Sequence, residues 1–124
     1  MQTTLDFEIF TPSGARNAAD LEWHPHPKFA GVALQPLITA ADTDGKFSVH
    51  RVRIDPACSL GAHVHAEQWE LHQVLAGAGM CRIGDREIDY HPGCLAAIPQ
   101  GSPHSVQAGP EGLVLLATFC PPLL

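Results

Sequence analysis

Between Gly61 and Gly79 the chain reads GAHVHAEQWELHQVLAGAG and places three of its eight histidines, His63, His65 and His72, within ten residues. Imidazole serves two chemistries near neutral pH, metal ligation and proton transfer. In an extended chain the side chains at i and i+2 point the same way, so His63 and His65 share a face and Val64 opposes them. Glu70 opens the next extended stretch, and the same alternation places His72 and Val74 on its side. His104 follows the turn PQGSP more than thirty residues later. If the sheet closes on itself, three imidazoles and one carboxylate can converge inside it. That donor set suits Fe, Mn, Ni, Zn or Cu, and four ligands leave positions open on a six-coordinate ion. A second HxH, His24 and His26 in WHPHP, lies among prolines that favour an exposed, extended segment, and no metal site is expected there.

These residues need a scaffold, and the punctuation of the chain describes one. Eleven glycines and eleven prolines in 124 residues imply many turns and many short strands. Extended stretches are expected at Leu5 to Phe10 and in FAGVALQPLI, weakened by Pro36, and then in KFSVHRVRI, WELHQVLA, GMCRI, REIDY, CLAAI, HSVQA and LVLLATF. The separators are GAG, GD, HPG, PQGSP and GPEG. In KFSVHRVRI the alternation sets Ser48, His50, Val52 and Ile54 on one face and Val49, Arg51 and Arg53 on the other. No sustained helical period occurs from residue 28 onward. Eight or nine short strands with little or no helix predict an all-β sandwich or barrel in one domain.

The spacing of the ligating residues resembles that of the cupins. The first cupin motif is a glycine, five residues, HxH, three or four residues, Glu, six residues and Gly. Here it runs from residue 57 through His63, Val64, His65 and Glu70 to Gly77. The second motif is Gly, five residues, PxG, two residues, His, three residues and Asn. It is matched by Gly93, Pro99, Gln100, Gly101 and His104. Two positions depart from the pattern: Ala57 stands for the leading glycine of motif one and Ala108 for the final asparagine of motif two. Both concern turn geometry and leave the four ligand positions intact. The resemblance covers residues 57–108 and implies a jelly-roll β-barrel (a double-stranded β-helix, RmlC-like) over residues 28–124. It implies one divalent transition metal held by His63, His65, Glu70 and His104. Residues 1–27 read as an N-terminal extended segment. Phe7, Ile9, Phe10 and Trp23 would lie on a partner subunit or on the segment's own barrel.

The function expected is metal-dependent Lewis-acid catalysis on a small oxygen-rich substrate, such as a carboxylate, an enediol or a hydroxy-keto compound. Isomerase, decarboxylase, lyase and dioxygenase reactions all fit. The alternative is a binding or sensing barrel without turnover. His72 and His50 are the visible candidates for proton transfer, and substrate contacts are unassigned. A formal charge of −6 with no basic stripe argues against nucleic acid as a partner. No long apolar run suggests a membrane span, and MQTTLDFEIF has no basic n-region. Cys58, Cys81, Cys94 and Cys120 form no CxxC pair, which suits reduced thiols in the cytoplasm. The resemblance also implies a homodimer.

Overall fold

The computed structural model describes residues 6–124. The expected strand from Leu5 therefore begins at a residue outside the described range. Ten strands follow in order: β1 (Glu8–Thr11), β2 (Gly14–Asn17), β3 (His24–Pro25), β4 (Val32–Ile38), β5 (Ser48–Ile54), β6 (Ser59–His63), β7 (Trp69–Ile83), β8 (Arg86–Tyr90), β9 (Leu95–Ile98) and β10 (His104–Cys120). The helical content is two single 3₁₀ turns, Ala18–Asp20 and Ala40–Asp42. The all-β expectation holds.

The architecture follows from the two long strands. β10 runs antiparallel to β7 along nearly its whole length, from His104↔Ile83 to Cys120↔Trp69. On its other side the first part of β10 meets β6 and the last part meets β5. β7 divides likewise, its first part pairing with β9 and its last part with β8. One pair of bent strands thus supplies the middle of both walls of the barrel, with β4 and then β3 beyond β5. Pro36 is tolerated in β4 because β3 pairs only as far as Leu34, so no neighbour asks for the missing N–H.

GAG and GPEG were expected to separate strands, yet both strands run through them. Between Ala108↔Gly79 and Leu113↔Gly77 the ladder slips, so that Gly109–Gly112 stand opposite Ala78 alone. The insert is a bulge, which bends a strand without ending it. Gly77 at φ +78° and Gly112 at φ +82° supply the backbone angles for the bend.

Inside the barrel the apolar faces of these strands meet, and Ile54, Val106, Leu113, Leu115 and Cys81 are fully buried. The N-terminal hairpin β1–β2 forms a second cluster outside, where Ile9, Ala18 and Leu37 pack with Phe7, Val49 and Leu116. It covers the outer face of β4 and β5, which is why Arg51 is buried there. Its Nε donates to Gln35 Oε1 at 2.9 Å, and its guanidinium lies over the rings of Phe7 and Trp23. Phe10 remains exposed.

Ala57, the residue in place of the motif's glycine, adopts φ +59°. The turn keeps its left-handed shape and the alanine Cβ carries the strain. Ala57→Gly should therefore stabilise the protein by about 0.5–1 kcal/mol in urea unfolding, after the entropy glycine adds to the unfolded chain. A lower midpoint would show that the turn is relaxed as it stands.

Candidate metal centre

The four ligand candidates reach one point from three directions. His63 ends β6 and His104 begins β10, and the two are register partners. Glu70 projects from β7 beside Phe119 of β10. His65 lies just beyond the end of β6, so strand alternation alone does not place it. A hydrogen bond from the Gly101 N–H to the His65 carbonyl, at 2.8 Å, ties its loop to the turn before His104. One ligand atom from each of the four lies within 4.8 Å of the others.

The ring orientations favour a cation. His63 Nδ1 is 2.7 Å from the Gly61 carbonyl and His104 Nδ1 is 3.0 Å from the Ser102 carbonyl. A carbonyl only accepts, so both rings carry hydrogen on Nδ1 and turn a bare Nε2 lone pair inward in their neutral form. Glu70 Oε1 and His104 Nε2 approach to 3.0 Å, and both are buried polar atoms with no hydrogen-bond partner among the described residues. Such orphans are rare and costly. Two ligands at about 2.1 Å from one ion and at right angles are about 3.0 Å apart, so a shared cation satisfies both. The residues present fit a metal ion.

Glu70 is held by a second chain of contacts. Its Oε2 lies 2.7 Å from His72 Nε2, and His72 Nδ1 lies 2.9 Å from the Tyr90 hydroxyl. Because the carboxylate can only accept, His72 donates from Nε2 and Nδ1 accepts from Tyr90. Burial and the neighbouring Cys81 thiol push the Tyr90 hydroxyl pKa up, so it stays a donor. His72 is fully buried with both nitrogens engaged. The network fixes which carboxylate oxygen faces the histidines.

Burial alone would raise the Glu70 pKa, but the adjacent His104 and His72 hold it well below the ordinary carboxylate range. Burial lowers His50, His63 and His65, and His104 is raised, against its own burial, by Glu70 beside it. The three lowered imidazoles bind protons more readily in the unfolded chain, so their contribution to stability is lost as pH falls below about 6.5. His26, lowered by burial and the nearby Lys28, adds to this trend, and His104 opposes it. In chelator the urea midpoint should fall between pH 7.5 and pH 5.5; a rise would contradict this electrostatic description.

A cavity of about 70 Å³ opens against His63, His65 and Glu70. His50 lines it, as the alternation of KFSVHRVRI allowed. Phe119, on the same alternating face of LVLLATF as Leu113, Leu115 and Ala117, lines it too, as does Leu123, which carried no signal in the sequence. Trp69 points away from Glu70 and is half exposed. His24 is exposed, and His26 accepts from the Lys28 N–H at 3.0 Å at the cavity's edge, so the second HxH joins no ligand cluster among the described residues. The four cysteines are free thiols. Among the described residues no helix is long and apolar enough to cross a membrane.

A bent antiparallel barrel holding three histidines and a glutamate at one end defines a small β-barrel protein with a candidate metal centre. The Cupin_2 model, a cupin domain, matches residues 50–119, and the chain belongs to the cupin family. No curated protein is a significant match. Solved structures share the fold at low identity. A predicted oxalate decarboxylase from Thermotoga maritima superposes with a TM-score of 0.76 at 20% identity, covering 83% of this chain and 95% of that one. KdgF from Halomonas sp. gives 0.70 at 17%, covering 81% and 86%. The polyketide cyclase RemF from Streptomyces resistomycificus gives 0.73 at 23%, covering 83% and 75%.

Proposed function

We propose that the protein is a metal-dependent enzyme in which His63, His65, Glu70 and His104 hold one divalent transition ion, Fe, Mn, Ni, Zn or Cu. The observation that carries this is the orphaned pair, Glu70 Oε1 and His104 Nε2, 3.0 Å apart beside a cavity. The bound ion would supply Lewis-acid polarisation of a substrate oxygen. The chain's own residues do the rest. Neutral imidazoles and one carboxylate leave a divalent site positive, which draws an anionic or oxygen-rich substrate such as a carboxylate, an enediol or a hydroxy-keto compound. Isomerisation, decarboxylation, lyase chemistry and, with ferrous ion, dioxygenation suit such a substrate. The occurrence of a predicted oxalate decarboxylase and a polyketide cyclase on this fold supports that range as analogy.

Of the two histidines that are candidates for proton transfer, we assign His72 to positioning, since both its nitrogens are engaged, and His50 to the substrate cavity. His72→Leu strips Glu70 Oε2 of its donor and should lower metal affinity about 10–100-fold in a chelator competition. An unchanged affinity would reduce His72 to core filling.

A homodimer belongs to the same proposal. Trp69, Leu71 and Leu95 are exposed on the outer face of β7 and β9, where a second copy would cover them. The net charge of −6 and the free thiols favour a cytoplasmic protein with no nucleic-acid partner. The test of turnover is a screen of metal-loaded protein against small hydroxy and oxo acids, with oxygen uptake added if the ion is iron. Consumption of any of them supports an enzyme; saturable binding without consumption would make the barrel a sensor or carrier.

A further inference from the structure

The walls of the cavity restrict what can sit on the ion. Opposite the ligands they are Leu34, Val52, Leu60, Phe119 and Leu123, and no lysine or arginine is among the described lining residues. The nearest cation in sequence to the rim, Lys28, is exposed beside His26. Arg51 and Arg53, on the same strand as His50, point to the opposite face and stack on Trp23. A charged group projecting from the ion into this space would lose its water with nothing to replace it. The volume of about 70 Å³ leaves room for only a short body beside the ion.

Apart from the ligands and His26 at its edge, His50 is the polar side chain among the described residues that lines this space. His50 Nε2 lies 2.9 Å from Ser48 Oγ, and that oxygen accepts from the Leu123 N–H, also at 2.9 Å. Among the described residues His50 Nε2 is the acceptor available to the Ser48 hydrogen, so Ser48 donates and the ring hydrogen sits on Nδ1. Nδ1 has no protein partner there. Leu123 thus both walls the cavity and, through Ser48, sets which nitrogen of His50 carries hydrogen. Ala117, between His50 and His72 in register, adds little bulk beside the ring.

We propose that the cavity binds a small monoanionic chelator, a 2-hydroxy or 2-oxo monocarboxylate with a short apolar body, and that the Nδ1–H of His50 donates to one of its oxygens. The proposal rests on the metal reading above and narrows its substrate class. The acid head neutralises the site, the short body meets Leu60, Phe119 and Leu123, and His50 fixes which oxygen turns away from the ion. A dicarboxylate of equal length would put its second charge against those apolar walls.

Protein loaded with Mn(II), its metal content measured, should be titrated calorimetrically with 2-hydroxypropanoate and with 2-hydroxypropanedioate. The monocarboxylate is expected to bind at least about tenfold more tightly, about 1.4 kcal/mol. His50→Leu should keep its manganese and lose about tenfold in affinity for the monocarboxylate, and His50→Asn, which keeps an N–H donor, should recover part of it. Equal or tighter binding of the dicarboxylate, or no effect of His50→Leu with metal retained, would overturn the proposal while leaving the metal site standing. Failure of the wild type to take up manganese or any of the other candidate ions would overturn both.

Discussion

Glu70→Ala should abolish stoichiometric metal binding, lowering affinity by about 100-fold or more, beyond the range set for the residues that only orient a ligand. Glu70 is the one anionic member of the cluster, and its Oε1 is the atom that both His104 at 3.0 Å and His65 at 3.5 Å approach. Removing it leaves three neutral imidazoles, which hold a divalent ion with no compensating charge. Glu70→Gln separates charge from shape: its amide oxygen can still accept from His72, so the fold is retained while the ligand charge is lost. Both variants should fold, by circular dichroism, and both should leave a chelator column without metal. A full equivalent of metal in Glu70→Ala would remove the glutamate from the centre.

The second large effect is structural. Gly77→Ala should destabilise the protein by about 3 kcal/mol or more, the sum of a left-handed φ and an overpacked contact. At φ +78° its added Cβ would fall on the carbonyl oxygen of Gly112, with the Gly112 carbonyl carbon at 2.9 Å, where β7 and β10 bend together. Neither backbone can move without shifting the strands that deliver Glu70 and His104. Gly84→Ala is the control: its φ is +59° but its Cβ would meet nothing within 4 Å, so only the conformational cost of about 1 kcal/mol remains. Urea unfolding of the two variants separates these costs. Equal losses would show that the close approach at Gly77 is relieved by small movements.

Which features could be read from the sequence follows from how local their causes are. The His63, His65 and Glu70 spacing lies within eight residues, and His104 is fixed by the turn before it, so the cluster could be counted out residue by residue. The inward face of Ser48, His50 and Val52 followed from simple alternation. Gly77 was legible as a motif position. Its partnership with Gly112 was not, because a glycine-rich bulge and a glycine-rich turn share one composition and differ only in what lies across the sheet. His65 points inward from beyond its strand because a hydrogen bond to Gly101, thirty-six residues on, holds the loop. Leu123 shows the limit most plainly. It follows the last strand with no periodic signal, and its place at the cavity is set by tertiary contacts, a hydrogen bond from its N–H to Ser48 and packing against the core. The hairpin β1–β2 is similar, since its home on β4 and β5 is set by tertiary contacts with Leu37 and Val49.

The central claim is that His63, His65, Glu70 and His104 hold a transition metal, and elemental analysis tests it most directly. Untagged protein, purified without chelators or nickel resin, should be measured beside a His63→Ala/His65→Ala variant carried through the same steps. The account predicts close to one equivalent of iron, manganese, nickel, zinc or copper in the native chain and essentially none in the variant. Equal metal in both, or none in the native chain even after reconstitution, would contradict it.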